Sequence, residues 1–191
     1  MNLWRPTGRR PQGGEEENLI AAAQRGDRRA FDTLVRNYRP LLRGLLTRRV
    51  TSAEAVDDIL QETWMAAWTK LPDYTHRARF KAWLFGIAVH KIGDHHRSRM
   101  KSMAEQITPE IERTMTTQDD PYAAVDMKEA LNSVLCQLPD AQREVIELYY
   151  YAGLTLPEIA ETLERNQNTV KYQFYRAHGV VAAGLGMANA L

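Results

Sequence analysis

Apolar residues recur every three or four positions through most of this 191-residue chain. No stretch shows the strict alternation of apolar and polar residues that is typical of a half-buried strand. Polar connections between the amphipathic segments are short, which favours a compact helix bundle. We therefore predict an all-α fold. The clearest apolar stripe falls within AFDTLVRNYRPLLRGLL and consists of Phe31, Leu34, Val35, Tyr38, Leu41, Leu42 and Leu45.

Changes in composition divide the chain into two small helical domains. The segment 101–120 is polar, acidic and interrupted by Pro109, which predicts a flexible acidic linker. The first 14 residues are basic and predict a disordered tail. The predicted boundaries are 1–14 for the tail, 15–100 for the first domain, 101–120 for the linker and 121–185 for the second domain.

Several short signals predict where helices begin and bend. Thr51 with Glu54, and Thr155 with Glu158, have the spacing of a capping box. Pro40 is expected to kink or split the helix around it. A helix is predicted over 121–138 after Asp120, and another is predicted to start at 139–140.

The formal net charge of +1 conceals a strong segregation of charge along the chain. Between His76 and Lys101 the sequence has seven lysines or arginines and only one acid, whereas acids outnumber bases over 102–164. The tail from Arg165 is basic again. Two basic regions around an acidic block suggest two contacts with a polyanion and a separate acidic surface for another partner. Charge runs on solvated helix faces are the simpler alternative.

The segment GLTLPEIAETLERNQNTVKYQFYRAH has the pattern of a helix-turn-helix. Helical winding of its second helix places Val170, Phe174, Ala177 and Val181 on one side. Polar residues and tyrosines fall on the other side, near the helix start, where such helices meet base edges. A simple αα-hairpin is the alternative. The outward set comprises Asn168, Thr169, Tyr172, Tyr175 and Arg176, with Lys171 and Gln173 at its margins.

The chain resembles the extracytoplasmic-function group of bacterial sigma-70 factors. The resemblance is carried in order by AAAQRGDRRAFDTLVRNYRPLL, DDILQETWMAAWTKL, RFKAWLFGIAVHKIGDHHRSR and LPDAQREVIELYYYAGLTLPEIAETLERNQNTVKYQFYRA. It implies a region 2 helix bundle and a region 4 helix-turn-helix, which bind RNA polymerase core and read the -10 and -35 promoter elements. The implied partners are core polymerase and promoter DNA, and the family leaves an anti-sigma factor open.

The resemblance also implies three groups of site residues. Winding residues 57–68 separates an apolar side from an acidic side, and similar proteins dock such a side on core polymerase. The expected core-binding residues are Asp57, Asp58, Gln61, Glu62 and Met65. The expected -10 residues are Arg77, Arg79, Lys81, Trp83, Gly86, His90, Lys91 and Arg97. The expected -35 residues are Asn166, Gln167, Asn168, Thr169, Lys171, Tyr172, Gln173 and Arg176.

The basic helix that begins at Phe80 is amphipathic in an unusual way. Winding leaves a narrow wedge of small and basic residues opposite its apolar side: Ala82, Gly86, His90, Gly93 and Arg97. Small side chains there are predicted to let separating DNA strands approach, while His90 and Arg97 donate hydrogen bonds. His90 stands where the family usually has asparagine, and Asn168 where glycine is common, so the promoter sequence is not carried over from relatives.

An enzyme and an ordinary helix-turn-helix regulator are the two alternative classes of function. The histidines at 90, 95 and 96 lack the i, i+4 spacing of a helical zinc site, and no phosphate loop or nucleophile motif is present. The chain is therefore predicted not to be an enzyme and to need no cofactor or metal. An ordinary helix-turn-helix repressor or activator would bind duplex DNA without polymerase, usually as a dimer. With neither a signal peptide nor a membrane span in the sequence, we predict a cytoplasmic protein that is monomeric when free of polymerase.

Overall fold

The computed structural model describes residues 13–75, 79–105, 133–135 and 137–184. Over these residues every regular element is helical, which confirms the predicted all-α class. The α-helices are α1 (Gly13–Gln24), α2 (Arg28–Arg49), α3 (Ala53–Lys70), α4 (Phe80–Glu105), α5 (Asp140–Tyr150), α6 (Leu156–Thr162) and α7 (Gln167–Gly184), with a 3-10 turn at Leu71–Asp73. None of these helices is long and apolar enough to cross a membrane.

Helices α1 to α4 form the N-terminal bundle. The predicted stripe of α2 is buried at Phe31, Leu34 and Leu42, against α1, α3 and α4. Before α4, the Gln24 side-chain amide donates to the carbonyls of Leu71 and Tyr74, at 3.1 and 2.8 Å. These bonds hold the segment between α3 and α4 in place, because both acceptor carbonyls belong to that segment.

Local signals in the bundle behave partly as predicted. Pro40 does not split α2, which is continuous from Arg28 to Arg49. The proline lies on the exposed side, where the carbonyl that it leaves without an amide partner can bond to water. The predicted capping box at Thr51 is wrong: Ser52 caps α3, and its hydroxyl accepts from the Ala55 amide. Two adjacent residues can both cap a helix, and the backbone selects the second.

The C-terminal domain contains α5, α6 and α7. Its core is formed by Val145, Ile146, Leu148, Ile159, Ala160, Val170, Phe174 and Ala177. Thr155 and Glu158 form the predicted capping box at the start of α6. Gly153, which lies between α5 and α6, has a φ of +63°, a conformation that glycine adopts without steric cost.

The predicted linker and the helix over 121–138 fall mostly outside the described residues. Helix α4 continues to Glu105, so residues 101–105 are helical rather than part of an extended linker. The sequence KSMAE contains no helix breaker, and the first proline follows only at position 109. Residues 133–135 and 137 are helical, and Leu135 and Leu138 are buried in the core.

The two domains pack against each other through α4 and α6. The Thr162 hydroxyl donates to the Ala82 carbonyl at 3.2 Å, and both residues are buried. Charged residues at the end of α2 also reach α5, since Arg49 pairs with Glu147 at 2.6 Å. The basic helix α4 therefore lies between the rest of the N-terminal bundle and the helix-turn-helix.

Candidate functional site

Helix α3 presents an acidic face to solvent. All five residues predicted to bind core polymerase are exposed on it, whereas Ile59, Leu60 and Thr63 are buried on the opposite side. Met65 is 63% exposed, which places a large apolar side chain within the acidic face. Arg43 pairs with Asp57, and Lys91 pairs with Glu62 at 3.0 Å. Asp58 has no ion-pair partner among the described residues, so its charge is available to a ligand.

A groove of about 700 Å³ lies beside this face, between α2 and α3. Leu60 and Trp64 contribute apolar surface from α3, and Val35, Arg39 and Arg43 line it from α2. None of these α2 residues was predicted from the sequence to line a surface groove. Their spacing of four residues was the available signal, because side chains at i, i+4 and i+8 form one row on a helix.

The residues predicted to bind the -10 element are distributed along α4 and its entry. Arg77 lies outside the described residues. Trp83 is half-buried, with ring centroids 4.9 Å from Tyr74 and 5.5 Å from Phe80. Lys81 is also half-buried, and Arg97 is exposed and pairs with Asp94 at 2.6 Å. Trp83 is thus held by aromatic packing, while most of the basic groups remain near solvent.

The first part of the predicted wedge of α4, at Ala82 and Gly86, is covered in this structure, whereas His90 and Arg97 are exposed. Ala82 is only 1% exposed, and a methyl group added at Gly86 would lie 3.7 Å from the Thr162 carbonyl oxygen. The small residues therefore admit helix α6 at the place where DNA was expected. His90 remains exposed, with Nε2 3.5 Å from a Glu164 carboxylate oxygen.

Helix α7 carries the predicted outward face of the helix-turn-helix. Val170, Phe174 and Ala177 are buried, as the winding predicted, and Val181 is half-buried. Of the eight predicted -35 residues, the exposed ones are Asn166, Gln167, Asn168, Thr169, Lys171, Tyr172 and Arg176.

Three residues of this region differ from a simple outward set. The Asn166 side chain accepts from the Asn168 amide at 2.8 Å, so it caps α7. Gln173 is half-buried, and its Oε1 atom is buried without a hydrogen-bond partner among the described residues. Tyr175 is 68% exposed and lies on the outward face, although it was not included among the predicted -35 residues. We therefore expect Tyr175, rather than Gln173, to be available to a ligand.

Titratable groups do not form a reactive cluster in the described part of the chain. No group of three or more His, Cys, Asp or Glu residues is placed there to hold a metal. Burial, followed by the charges of His95 and Arg49, lowers the pKa of His96. The lowered pKa favours the neutral form of that histidine.

Comparison with known families agrees with this architecture. Residues 34–102 match the model described as sigma-70 region 2, and residues 128–177 match the one described as sigma-70 region 4. The chain is therefore a two-domain sigma factor of the sigma-70 class. At the sequence level it is 31% identical to the ECF RNA polymerase sigma factor SigD of Mycobacterium tuberculosis, over 91% of this chain and 87% of SigD. It belongs to the extracytoplasmic-function (ECF) RNA polymerase sigma factors.

Other relatives and two solved structures agree with that assignment. The RNA polymerase sigma-H factor of Pseudomonas aeruginosa is 26% identical over 90% of this chain and 94% of its own. CnrH, solved in complex with the cytosolic domain of CnrY, has a TM-score of 0.67 and 29% identity, covering 92% of this chain and 99% of CnrH. RpoE of Bartonella quintana, solved with the anti-sigma factor NepR, has a TM-score of 0.62 and 25% identity, covering 82% and 96%. The protein is thus an RNA polymerase-binding, promoter-specific transcription initiation factor, and such factors are not enzymes in themselves.

Proposed function

We propose that three surfaces divide the work of initiation. The acidic face of α3 docks on core polymerase, the outward face of α7 reads the -35 element, and α4 with the segment before it binds the -10 element. In this proposal α4 also helps to separate the strands, because it combines the half-buried Trp83 with a row of basic residues.

The observation that carries the proposal is the opposite charge of two outward helix faces. The exposed face of α3 holds Asp57, Asp58 and Glu62, which would repel a phosphate backbone. Helix α7 has Lys171 and Arg176 and no acidic residue. One face therefore suits a basic protein surface, and the other suits DNA, where lysines and arginines release counterions from phosphates.

The polymerase contact can be tested by reversing charge on α3. Asp58→Lys with Glu62→Lys should abolish binding of the full chain to purified core polymerase and eliminate promoter-dependent run-off transcription. The matched control is Glu17→Lys with Asp32→Lys, which makes the same charge change at exposed positions of α1 and α2. Far-UV circular dichroism and melting temperature should be nearly equal for both pairs. Core affinity of the α3 variant equal to that of the control would contradict the proposal.

Run-off transcription also separates this function from that of a repressor or activator. A sigma factor adds specific start sites to core polymerase that has no other sigma factor. A conventional regulator would bind duplex DNA in the absence of polymerase and would leave core polymerase alone inactive at those sites.

We further infer a cytoplasmic site of action and control by an anti-sigma factor. The first follows from the need to reach polymerase and chromosomal DNA. RpoE, solved with the anti-sigma factor NepR, and CnrH, solved with the cytosolic domain of CnrY, support the second. Affinity capture of tagged chain from its host, followed by run-off inhibition with the purified captured protein, tests this inference. A captured protein that leaves transcription unchanged is not such a factor.

A further inference from the structure

We propose that the free chain is self-inhibited, with helix α6 of its own helix-turn-helix docked on the α4 wedge and excluding DNA. The proposal rests on the proposed function, because it takes α4 to be the -10 surface. The occupant of the wedge is a defined segment of this chain, Leu156–Thr162.

The fit between α6 and α4 is close enough to exclude another ligand. Thr162 is 6% exposed and donates to the Ala82 carbonyl at 3.2 Å. A hydrogen bond with both partners buried leaves a costly unpaired group when only one partner is removed. At Gly86 an added methyl group would already lie in van der Waals contact with the Thr162 backbone, so α6 lies directly over this glycine. A nucleic-acid backbone cannot reach this part of α4 while α6 is present.

Acidic residues around α6 meet basic residues that the -10 element would use. Glu158 places one carboxylate oxygen 3.3 Å from Arg79 Nε, while its other oxygen accepts from Thr155 at the cap. Glu164, just beyond α6, faces His90. The Arg79 and His90 side chains are well exposed, so each pair contributes little alone. Their importance is positional, because these carboxylates occupy places where phosphates would otherwise bind.

A second contact, centred on Arg49, holds the closed arrangement. From the end of α2, Arg49 Nε lies 2.6 Å from Glu147 Oε2, and its Nη1 lies 3.1 Å from Glu144 Oε1. Arg165 pairs with the other oxygen of Glu144 at 2.6 Å. The Glu147 side chain is only 3% exposed, and Arg49 is its one ion-pair partner within the described residues. Removing the arginine while the domains stay closed would leave a buried carboxylate unpaired, which is strongly unfavourable.

An aromatic contact adds to this cluster. The Arg48 guanidinium lies 3.5 Å from the centre of the Tyr151 ring, an arrangement that is favourable between a cation and an aromatic face. Arg48 and Arg49 are consecutive residues at the end of α2, and both reach the C-terminal domain. The contacts of Arg48 and Arg49 therefore hold together two domains whose covalent connection is the 106–132 segment of the chain. We call these contacts the latch.

Distances between spin labels test the closed state without DNA or polymerase. Cys136→Ser removes the single native cysteine, and cysteines at Glu17 in α1 and Val180 in α7 provide exposed attachment points. The free full chain should give a single narrow distance distribution. Arg49→Glu should broaden this distribution and shift it to longer distances. The introduced carboxylate would lie beside Glu144 and Glu147, with only Arg165 nearby to balance the three negative charges. A broad distribution in the unmodified parent would overturn the proposal.

Matched variants separate opening from a general effect of charge. Arg36→Glu makes the same change at an exposed position of the same helix and should leave the distribution narrow. Adding Glu147→Arg to Arg49→Glu restores an ion pair with reversed polarity and should shorten the distances again. Gly86→Glu is an independent opening variant, since it adds bulk against Thr162. Circular dichroism should show that all of them remain helical. A narrow distribution in both Arg49→Glu and Gly86→Glu would overturn the latch.

The exclusion of DNA has its own measurement. Binding of fluorescent single-stranded DNA of mixed sequence to the free full chain should be several-fold tighter for Arg49→Glu than for Arg36→Glu, which has the same net charge. Equal affinities, together with a widened distance distribution, would show that the latch exists but that the wedge is not a DNA surface. That result would refute the assignment of α4 in the proposed function, and the distance measurement would still stand.

Discussion

Tyr38 shows how much one buried hydroxyl can matter in a bundle of this size. Its ring lies in the core of the N-terminal bundle, and its hydroxyl donates to the Glu16 carboxylate on α1. Burial, and then the hydrogen bond and charge of Glu16, raise the pKa of Tyr38. The contact joins α1 to α2, so its loss should loosen the first helix of the bundle.

Tyr38→Phe is expected to lower the free energy of unfolding by about 1.5–3 kcal/mol, the range for a hydrogen bond to a charged group. The ring keeps its volume, so the effect isolates the hydroxyl. Urea unfolding followed by circular dichroism measures the change. Tyr172→Phe, which removes an exposed hydroxyl on α7, is the control and should be neutral. A neutral Tyr38→Phe would mean that α1 is held by its apolar contacts alone.

The same residue predicts the response of the fold to alkaline pH. Burial also raises the pKa of Tyr74, to about 12, and an unfolded tyrosine titrates near 10. A group whose pKa is raised by folding stabilises the native state below its unfolded pKa, and that stabilisation is lost as pH rises. Stability should therefore fall between about pH 10 and pH 12, and less steeply in Tyr38→Phe. Melting curves across this range would show the difference, and parallel profiles would contradict it.

At the scale of the helix, our proposal assigns to α7 both residues that read bases and residues that hold phosphates. Tyr172→Ala should relax the preference at one position of the -35 element and cost about 1–3 kcal/mol there. Gln173→Ala should preserve the preference, because its amide oxygen is turned inward. Selection of promoters from a randomised library by the holoenzyme compares the two variants directly. Equal loss of preference in both would show that the Gln173 side chain turns outward on DNA.

The effect of a phosphate contact should look different. If Lys171 and Arg176 hold the DNA backbone, their replacement by alanine should weaken binding to all sequences alike and flatten its salt dependence. Filter binding of the holoenzyme at several salt concentrations measures the slope. Unchanged slopes would place both side chains away from the phosphates.

In our proposals α4 binds α6 in the free chain and DNA in the holoenzyme, and Gly86→Glu should disturb both contacts. The first effect should open the chain, and the second should block its function. In the free chain it should release α6 from α4. In the holoenzyme the same bulk and negative charge should block strand opening, while the -35 element is still bound. Permanganate footprinting of unpaired thymines reports the second effect. An open complex of normal lifetime would mean that DNA does not approach this face of α4.

The elements show where sequence reasoning succeeds and where it stops. The buried sides of α3 and α7 were predictable because each follows from helical spacing within one segment. The exact cap of α3 was not, since Thr51 and Ser52 have equivalent side-chain chemistry. Gln173 is half-buried because it sits at the margin between two faces, where a small rotation decides its burial. Periodicity thus fixes the centres of faces better than their edges.

At the scale of the whole molecule, the domain contact was beyond the reach of local patterns. Arg49 and Glu147 are 98 residues apart, and nothing in the spacing around either residue signals the other. The segregation of charge did indicate that the acidic block over 102–164 would form a separate surface for a partner. Part of that partner is the chain itself, because Glu144, Glu147 and Glu158 pair with arginines of the N-terminal bundle.

Docking of α6 on α4 leaves α7 facing outward, with Tyr172 and Tyr175 both more than half exposed. In our proposals the closed chain therefore has one DNA surface available and one covered. Contact with duplex DNA upstream requires no rearrangement, whereas contact with separated strands must wait until α6 has moved. Promoter recognition by this protein would then have a fixed chronology, with the upstream element found first. Its two readers would work as successive checkpoints rather than as simultaneous ones.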